Sequence, residues 1–158
     1  MEMLLRRNGK MADRLTPNRR SWNMSRIRGA NTAPEIAVRR LLHSLGYRYR
    51  LHLGTLPGKP DIAFPARRKA VMVHGCFWHR HINCRYAYTP KSRTSFWLDK
   101  FHRNVMRDEV AQHELHEMGW GVLVVWECEI RNLDQLRFQL VDFLGPPRAS
   151  SIDGRKSE

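Results

Sequence analysis

The chain is poor in cysteine, with three in 158 residues. An odd number of thiols argues against a disulfide framework and leaves metal binding as the better use for them. There is no run of the roughly 18 apolar residues that a membrane span needs. The start, Met1 to Lys10, offers only Met3-Leu4-Leu5, too short for the apolar core of a signal segment. The expectation is therefore a cytoplasmic protein with no membrane partner. Acid is scarce as well. Fifteen Asp and Glu face 28 Lys and Arg, for a net charge of +13. Such a surplus repels itself in a compact chain unless a polyanion is the usual partner. Nucleic acid is the obvious one, because each phosphate neutralised releases condensed counterions. No internal repeat and no Pro/Gly/Ser-rich linker breaks the chain, so one domain is expected.

The hydrophobic pattern divides that domain. Residues 1–22 are basic and polar and read as a mobile arm, followed by the mixed cationic and apolar segment Asn23-Met24-Ser25-Arg26-Ile27-Arg28. Met11-Ala12-Asp13 has the form of a second translation start, which would make residues 1–10 an extension. Asn31-Thr32 can cap a helix over residues 33–45, with Pro34 in its first turn and Gly46 stopping it. Tyr47 to Leu53 alternates as a half-buried strand, Leu56-Pro57-Gly58-Lys59-Pro60 is a turn, and Asp61 opens a second strand. Pro65 to Arg68 then connects to a third strand, Lys69 to His74. A helix is expected from Ser95 to Met118, with Phe96 turned into the core. Trp120 to Glu127 reads as a strand covered on both faces. Asn132 caps a last helix ending at Gly145, and residues 146–158 read as a flexible tail. The order α-β-β-β-α-β-α implies an α/β domain with a mixed central sheet flanked by helices, over residues 23–145.

Residues 76–94 have no period, and so long an irregular stretch must be functional or held by something else. It contains Cys76, His79, His81 and Cys84 within nine residues, and Cys128 follows 44 positions later. Structural zinc takes four N/S ligands at tetrahedral corners, and three cysteines with one histidine would satisfy it. Spacing alone leaves open whether His79 or His81 is the fourth ligand.

The hairpin carries a second constellation. Its antiparallel strands bring Pro60-Asp61 beside Val73-His74, where a carboxylate and a backbone carbonyl can hold Mg²⁺, which needs few protein ligands. Asp after Pro is ordinarily a turn or cap residue, but the basic composition and the His-rich continuation favour the metal. Glu35 either joins this site or simply places a favourable charge at a helix start. His79 is a candidate general base for an attacking water, and Asp108 either orients its ring or lies on a solvated helix face. Of the paired aromatics Phe77-Trp78 and Phe96-Trp97, rings not taken by the core can wedge between bases.

Together these residues resemble the very-short-patch repair (Vsr) DNA mismatch endonucleases. The resemblance runs in order through Asn23-Met24, Thr32-Ala33-Pro34-Glu35, Leu56 to Asp61, His74-Gly75-Cys76-Phe77-Trp78-His79, Arg93 to Leu98, Asn104 to Asp108, and Gly119 to Cys128. It implies a restriction-endonuclease-like fold stapled by a structural zinc. It also implies Mg²⁺-dependent nicking of double-stranded DNA, 5′ to the T of a T·G mismatch left by deamination of 5-methylcytosine. By position, Asp61 and the Val73 carbonyl hold magnesium, and His79 is the base. His81 joins Cys76, Cys84 and Cys128 on zinc, and Glu35 and Asp108 support the active site. Phe77, Trp78 and Trp97 match aromatics that enter beside the mismatch, and Met24 enters from the other groove. The resemblance further implies a bacterial, nucleoid-associated enzyme. A monomer is expected, since one nicked strand needs one site, and mismatch-repair proteins are partners by extrapolation. Two departures stand out. The stretch from His79 to Cys84 is one residue longer than usual, and Val73 replaces a more usual Thr. The competing readings are a restriction-type nuclease of the same fold that cuts intact sites, and a non-catalytic zinc protein that binds distorted DNA.

Overall fold

The computed structural model describes residues 29–148, together with Thr16 and Asn18. Met24, the expected basic arm apart from Thr16 and Asn18, and residues 149–158 lie outside the described residues.

The first helix, α1 (Ala33–Ser44), starts at Thr32, whose extended backbone and side chain form a capping box with Glu35. Such a box satisfies helix-end donors that would otherwise go unpaired. Gly46, at φ +87°, then turns the chain away from the helix. Strands β1 (Arg50–Leu51), β2 (Ile62–Phe64) and β3 (Lys69–His74) follow, then the long helix α2 (Thr94–Glu117), β4 (Gly121–Trp126) and α3 (Leu133–Leu144). The sheet order is β1-β2-β3-β4. The first two pairings are antiparallel and β3–β4 is parallel, so α2 is the crossover that a parallel pair requires.

Alternation along the strands sends side chains into two cores. Ile62, Phe64, Val71 and Val125 pack with Val38, Leu42, Leu136 and Leu140 of α1 and α3. Ala63 and Met72 pack with Leu56 and with Ala111 and Leu115 of α2. The expected mixed sheet flanked by helices is therefore present. No helix among the described residues is long and apolar enough to cross a membrane.

Three expectations need correction. The first strand spans two residues instead of Tyr47 to Leu53. Tyr47 and Tyr49 instead set their rings edge-on to Phe64, at 6.1 and 6.2 Å, and His52, at φ +45°, ends the strand. The strand ending at Trp126 is an edge strand in which only Val125 is fully buried, so its apolar run is half covered. In α2, Phe96 is exposed where burial was expected, and the ring that is buried is Trp97. The inward stripe is Trp97, Phe101, Asn104, Asp108, Ala111 and Leu115. Two of its members are polar, which masks the phase in a hydrophobicity count. Past Gly145 the chain is still anchored, since Arg67 donates to the carbonyls of Leu144 and Pro146 at 2.7 Å each.

The turn ahead of β2 leaves no slack. Gly58 sits at φ +67°, and a Cβ there would lie 2.6 Å from Cβ of Ala111. Both the left-handed backbone and the close approach to α2 therefore require glycine. Gly58→Ala should cost about 1–3 kcal/mol from overpacking and backbone strain. Chemical denaturation would read this, and an unchanged midpoint would contradict the packing described.

Candidate active site and metal centre

Asp61 stands just before β2, at the open end of the β2–β3 ladder. The register pairs Ile62 with Val71 and Phe64 with Lys69, so Pro60 falls opposite Val73. Proline has no N–H to give. The Val73 carbonyl therefore receives nothing from it, while the Val73 N–H is taken by Asp61 Oδ2, at 2.7 Å. Burial, opposed by this hydrogen bond and reinforced by the nearby Glu35 charge, holds the Asp61 carboxyl above its ordinary range. A buried acid in that condition gains from a cation.

Glu35 is 3% exposed, although it stands in the first turn of its helix. One of its oxygens, Oε2, accepts from Asn31 N–H at 2.9 Å and from Arg39 Nη2 at 2.8 Å. The same Arg39 nitrogen lies 2.9 Å from His52 Nε2, and Arg39 Nη1 donates to Asn31 Oδ1 at 2.7 Å. An arginine can only donate, so His52 Nε2 is the acceptor there. Donor atoms of Glu35, His52 and Asp61 all lie within 4.8 Å of one another. Sequence reasoning missed Arg39 and His52. The only trace of them is a helix position four residues after Glu35 and a histidine in the Arg/His alternation of 47–53.

On the other side of the β3 terminus, His79 Nδ1 lies 2.5 Å from Asp108 Oδ2. The His79 ring is stacked on His74 at 4.0 Å between centroids. His74 is buried, and desolvation with the neighbouring His79 charge lowers its pKa to about 4, so it is neutral. The loop that carries His79 is a run of turns, with His79 N–H bonded to Gly75 O and Asn104 Nδ2 donating to Trp78 O. His74 was read only as the end of a strand, and its place under His79 is a tertiary fact.

His81, two positions on, joins the three cysteines. Its Nδ1 is 3.6 Å from Cys76 Sγ and 3.3 Å from Cys128 Sγ, and Cys84 completes a group with all donor atoms within 4.8 Å. Tetrahedral bonds of about 2.3 Å to sulfur and about 2.1 Å to nitrogen put such atoms about 3.6 Å apart, so the donor set fits one ion. Burial drives the Cys76 thiol up to about 12 and raises Cys128, whereas hydrogen bonds from the backbone at Tyr86 lower Cys84. Thiols buried against one another this way are poor anions until a cation joins them.

Above the loop the aromatics form one cluster. Phe77 contacts Trp78, Trp97 and Phe101 at 5.0, 5.5 and 5.0 Å, and Lys100 lies over Trp78 and Arg80 over Phe101. Trp97, 5% exposed, backs Phe77 and Trp78 from beneath.

The profile of the family described as DNA mismatch endonuclease Vsr matches residues 12–85. A type II nicking enzyme, V.XorIIP of Xanthomonas oryzae pv. oryzae, is 51% identical over 136 residues, which is 86% of this chain and 99% of the relative. The chain belongs to the Vsr family. The DNA mismatch endonuclease Vsr of Escherichia coli K12 is 41% identical over 126 residues, covering 80% of each chain. The type II nicking enzyme V.NmeAIP of Neisseria meningitidis is 43% identical over 122 residues, covering 77% of this chain and 86% of the relative. As a Vsr-family DNA endonuclease the chain needs a hydrolytic site at a phosphodiester, and the groups around Asp61 and His79 stand at one end of the sheet.

The raised Asp61 pKa has a sign that can be tested. Its folded form binds the proton more tightly than the unfolded chain does, so without a divalent ion stability falls as pH rises from the ordinary carboxylate range through the raised value. Asp61→Asn, measured without added divalent ion, should melt above the wild type at neutral pH, with the gap closing as the pH drops to that range. A variant that melts lower at neutral pH would contradict the burial cost.

Proposed function

We propose that this protein nicks one DNA strand 5′ to the T of a T·G mismatch, with Mg²⁺ held by Asp61 and the Val73 carbonyl. The observation that carries the reading is the fixing of the Asp61 carboxylate by Val73 N–H at 2.7 Å, on the strand that continues into the His74–His79–Asp108 group. In a hydrogen-bonded strand pair a residue presents its N–H and C=O to the same neighbour. Val73 therefore turns its carbonyl toward Pro60, which cannot donate to it, and the oxygen stays free for a ligand. When bound there, magnesium would supply positive charge at the scissile phosphate.

The chain's own groups do the rest. Asp108 accepts from His79 Nδ1–H, which leaves Nε2 with its lone pair to take a proton from the attacking water. The protonated ring is then stabilised by the same carboxylate. Glu35, held by Arg39 and the helix cap, keeps a fixed negative charge beside Asp61 and limits how far that carboxylate can turn. Zinc on Cys76, His81, Cys84 and Cys128 would hold the loop that presents His79, and His81 is the histidine whose ring faces the sulfurs.

Mismatch selectivity is assigned to the aromatic cluster. Phe77 and Trp78, backed by Trp97, can enter beside a base pair, and a poorly stacked pair costs less to open than a sound one. Met24 is proposed to enter from the opposite groove. The printed name of the E. coli relative, a mismatch endonuclease, favours this reading over cleavage of intact sites.

The test is a nicking assay on a duplex containing T·G and on its fully paired twin, with Mg²⁺ or with chelator. Only the T-bearing strand of the T·G duplex should be cut, and only with the metal. Asp61→Ala should lose at least a hundredfold in rate while binding the duplex within about threefold of wild type. Equal cutting of both duplexes would end the mismatch reading, and normal cutting by Asp61→Ala would end the metal assignment.

A further inference from the structure

Four rings connect the cysteine cluster to the proposed base. His81 lies flat on the indole of Trp126, at 4.3 Å and 6° between planes. Trp126 meets His74 edge to face at 5.4 Å. His74 is in turn stacked on His79 at 4.0 Å and 12°, and His79 ends on Asp108. Trp126 and His74 are direct partners across the parallel β3–β4 pair, so the backbone register fixes the middle of this series. The two outer rings belong to a loop of turns.

We propose that Trp126 is a positioning residue that transmits the placement of His81 in the metal-binding cluster to the ring of His79. One hydrogen bond at Nδ1 fixes the direction of an imidazole but leaves its plane free to rock about that bond. The plane of His79 is set by His74, whose own plane is set by the indole edge. The indole is pinned at its face by His81 and at its backbone, where Trp126 N–H donates to Glu129 Oε2 at 2.7 Å. Stacked and edge-to-face rings favour definite separations and tilts, so a change at one end is felt at the other. Along the chain His79 and His81 are separated by Arg80, which stands in the left-handed region at φ +58°, and their N–H groups bond to the carbonyls of Gly75 and Cys76.

The inference rests on His79 being the base, and the test separates the two. Full-length zinc-loaded protein is prepared as wild type, Trp126→Leu, Trp126→Phe and His79→Ala. Each is measured for zinc content, T·G duplex affinity, single-turnover nicking rate, and the ring resonances of isotope-labelled histidine. Trp126→Leu should keep zinc and bind duplex within about threefold, yet lose about tenfold to a hundredfold in rate, as expected when a reacting group is misplaced by about 1 Å. The His74 and His79 resonances should move, and Trp126→Phe should recover most of the rate. Nicking by Trp126→Leu within threefold of wild type, or unmoved His79 resonances, overturns the proposal. If Trp126→Leu loses zinc, exchange of zinc for cadmium in the wild type takes its place. The longer cadmium–sulfur bonds displace His81 and must shift His79, and unshifted resonances overturn the coupling. If His79→Ala nicks normally, it is the assignment of the base that fails, whereas the resonances still report on the coupling.

Discussion

Pro60 lies across from Val73 in the β2–β3 register, and because it has no N–H the ladder cannot continue past Ile62. Pro60 is fully buried, so the interruption is not repaired by solvent at the proline itself. The Val73 carbonyl is left without a donor and the Val73 N–H goes to the Asp61 carboxylate, which turns a main-chain ladder position into an anchor for an acid. The rest of the site depends on that register. A slip of one residue would send every side chain of β3 to the opposite face, separating Asp61 from its anchor and moving His74 away from His79. The two cores guard against the slip, since Ile62 and Val71 are committed to α1 and α3, and Ala63 and Met72 to α2.

The end of the sheet that results has two different sides. Around Asp61 a buried Glu35 and half-buried partners have their charges answered one by one: Glu35 by Arg39, and Arg39 shared with His52 and Asn31. Around His79 the support comes from ring contacts and from Asp108 on α2. The loop between His74 and α2 has no core of its own, and the four-donor group of Cys76, His81, Cys84 and Cys128 ties it back to the end of β4. An ion there would account for order in the loop, and it would draw Cys76 and Cys128 into the anionic form that burial opposes.

Much of this was legible in the sequence because local rules and tertiary structure agree. Thr32 and Asn132 do cap their helices, and the β2–β3 hairpin closes at the expected residues. The cysteines converge because their spacing is a property of the ion they suit. The misses occur where a side chain answers to a distant partner. Glu35 looks exposed in sequence, but Arg39 and His52 cover it. The phase of α2 was misread because Asn104 and Asp108 occupy its inward stripe, where they serve the loop rather than the core. Tyr47 belongs to an alternating run, yet its hydroxyl reaches Gly145, 98 residues on, at 2.5 Å, and no local pattern encodes that.

The central claim is that one carboxylate and one carbonyl at a broken sheet ladder hold the catalytic ion, with a separate thiolate-bound ion serving the loop. Anomalous diffraction from crystals grown with a T·G duplex and Mn²⁺ in place of Mg²⁺ tests it most directly. A zinc peak should lie within bonding distance of Cys76, His81, Cys84 and Cys128, and a manganese peak should touch Asp61 and the Val73 oxygen. Manganese bound by Asp108 and His79 with Asp61 left bare, or sulfurs without a shared ion, would contradict it.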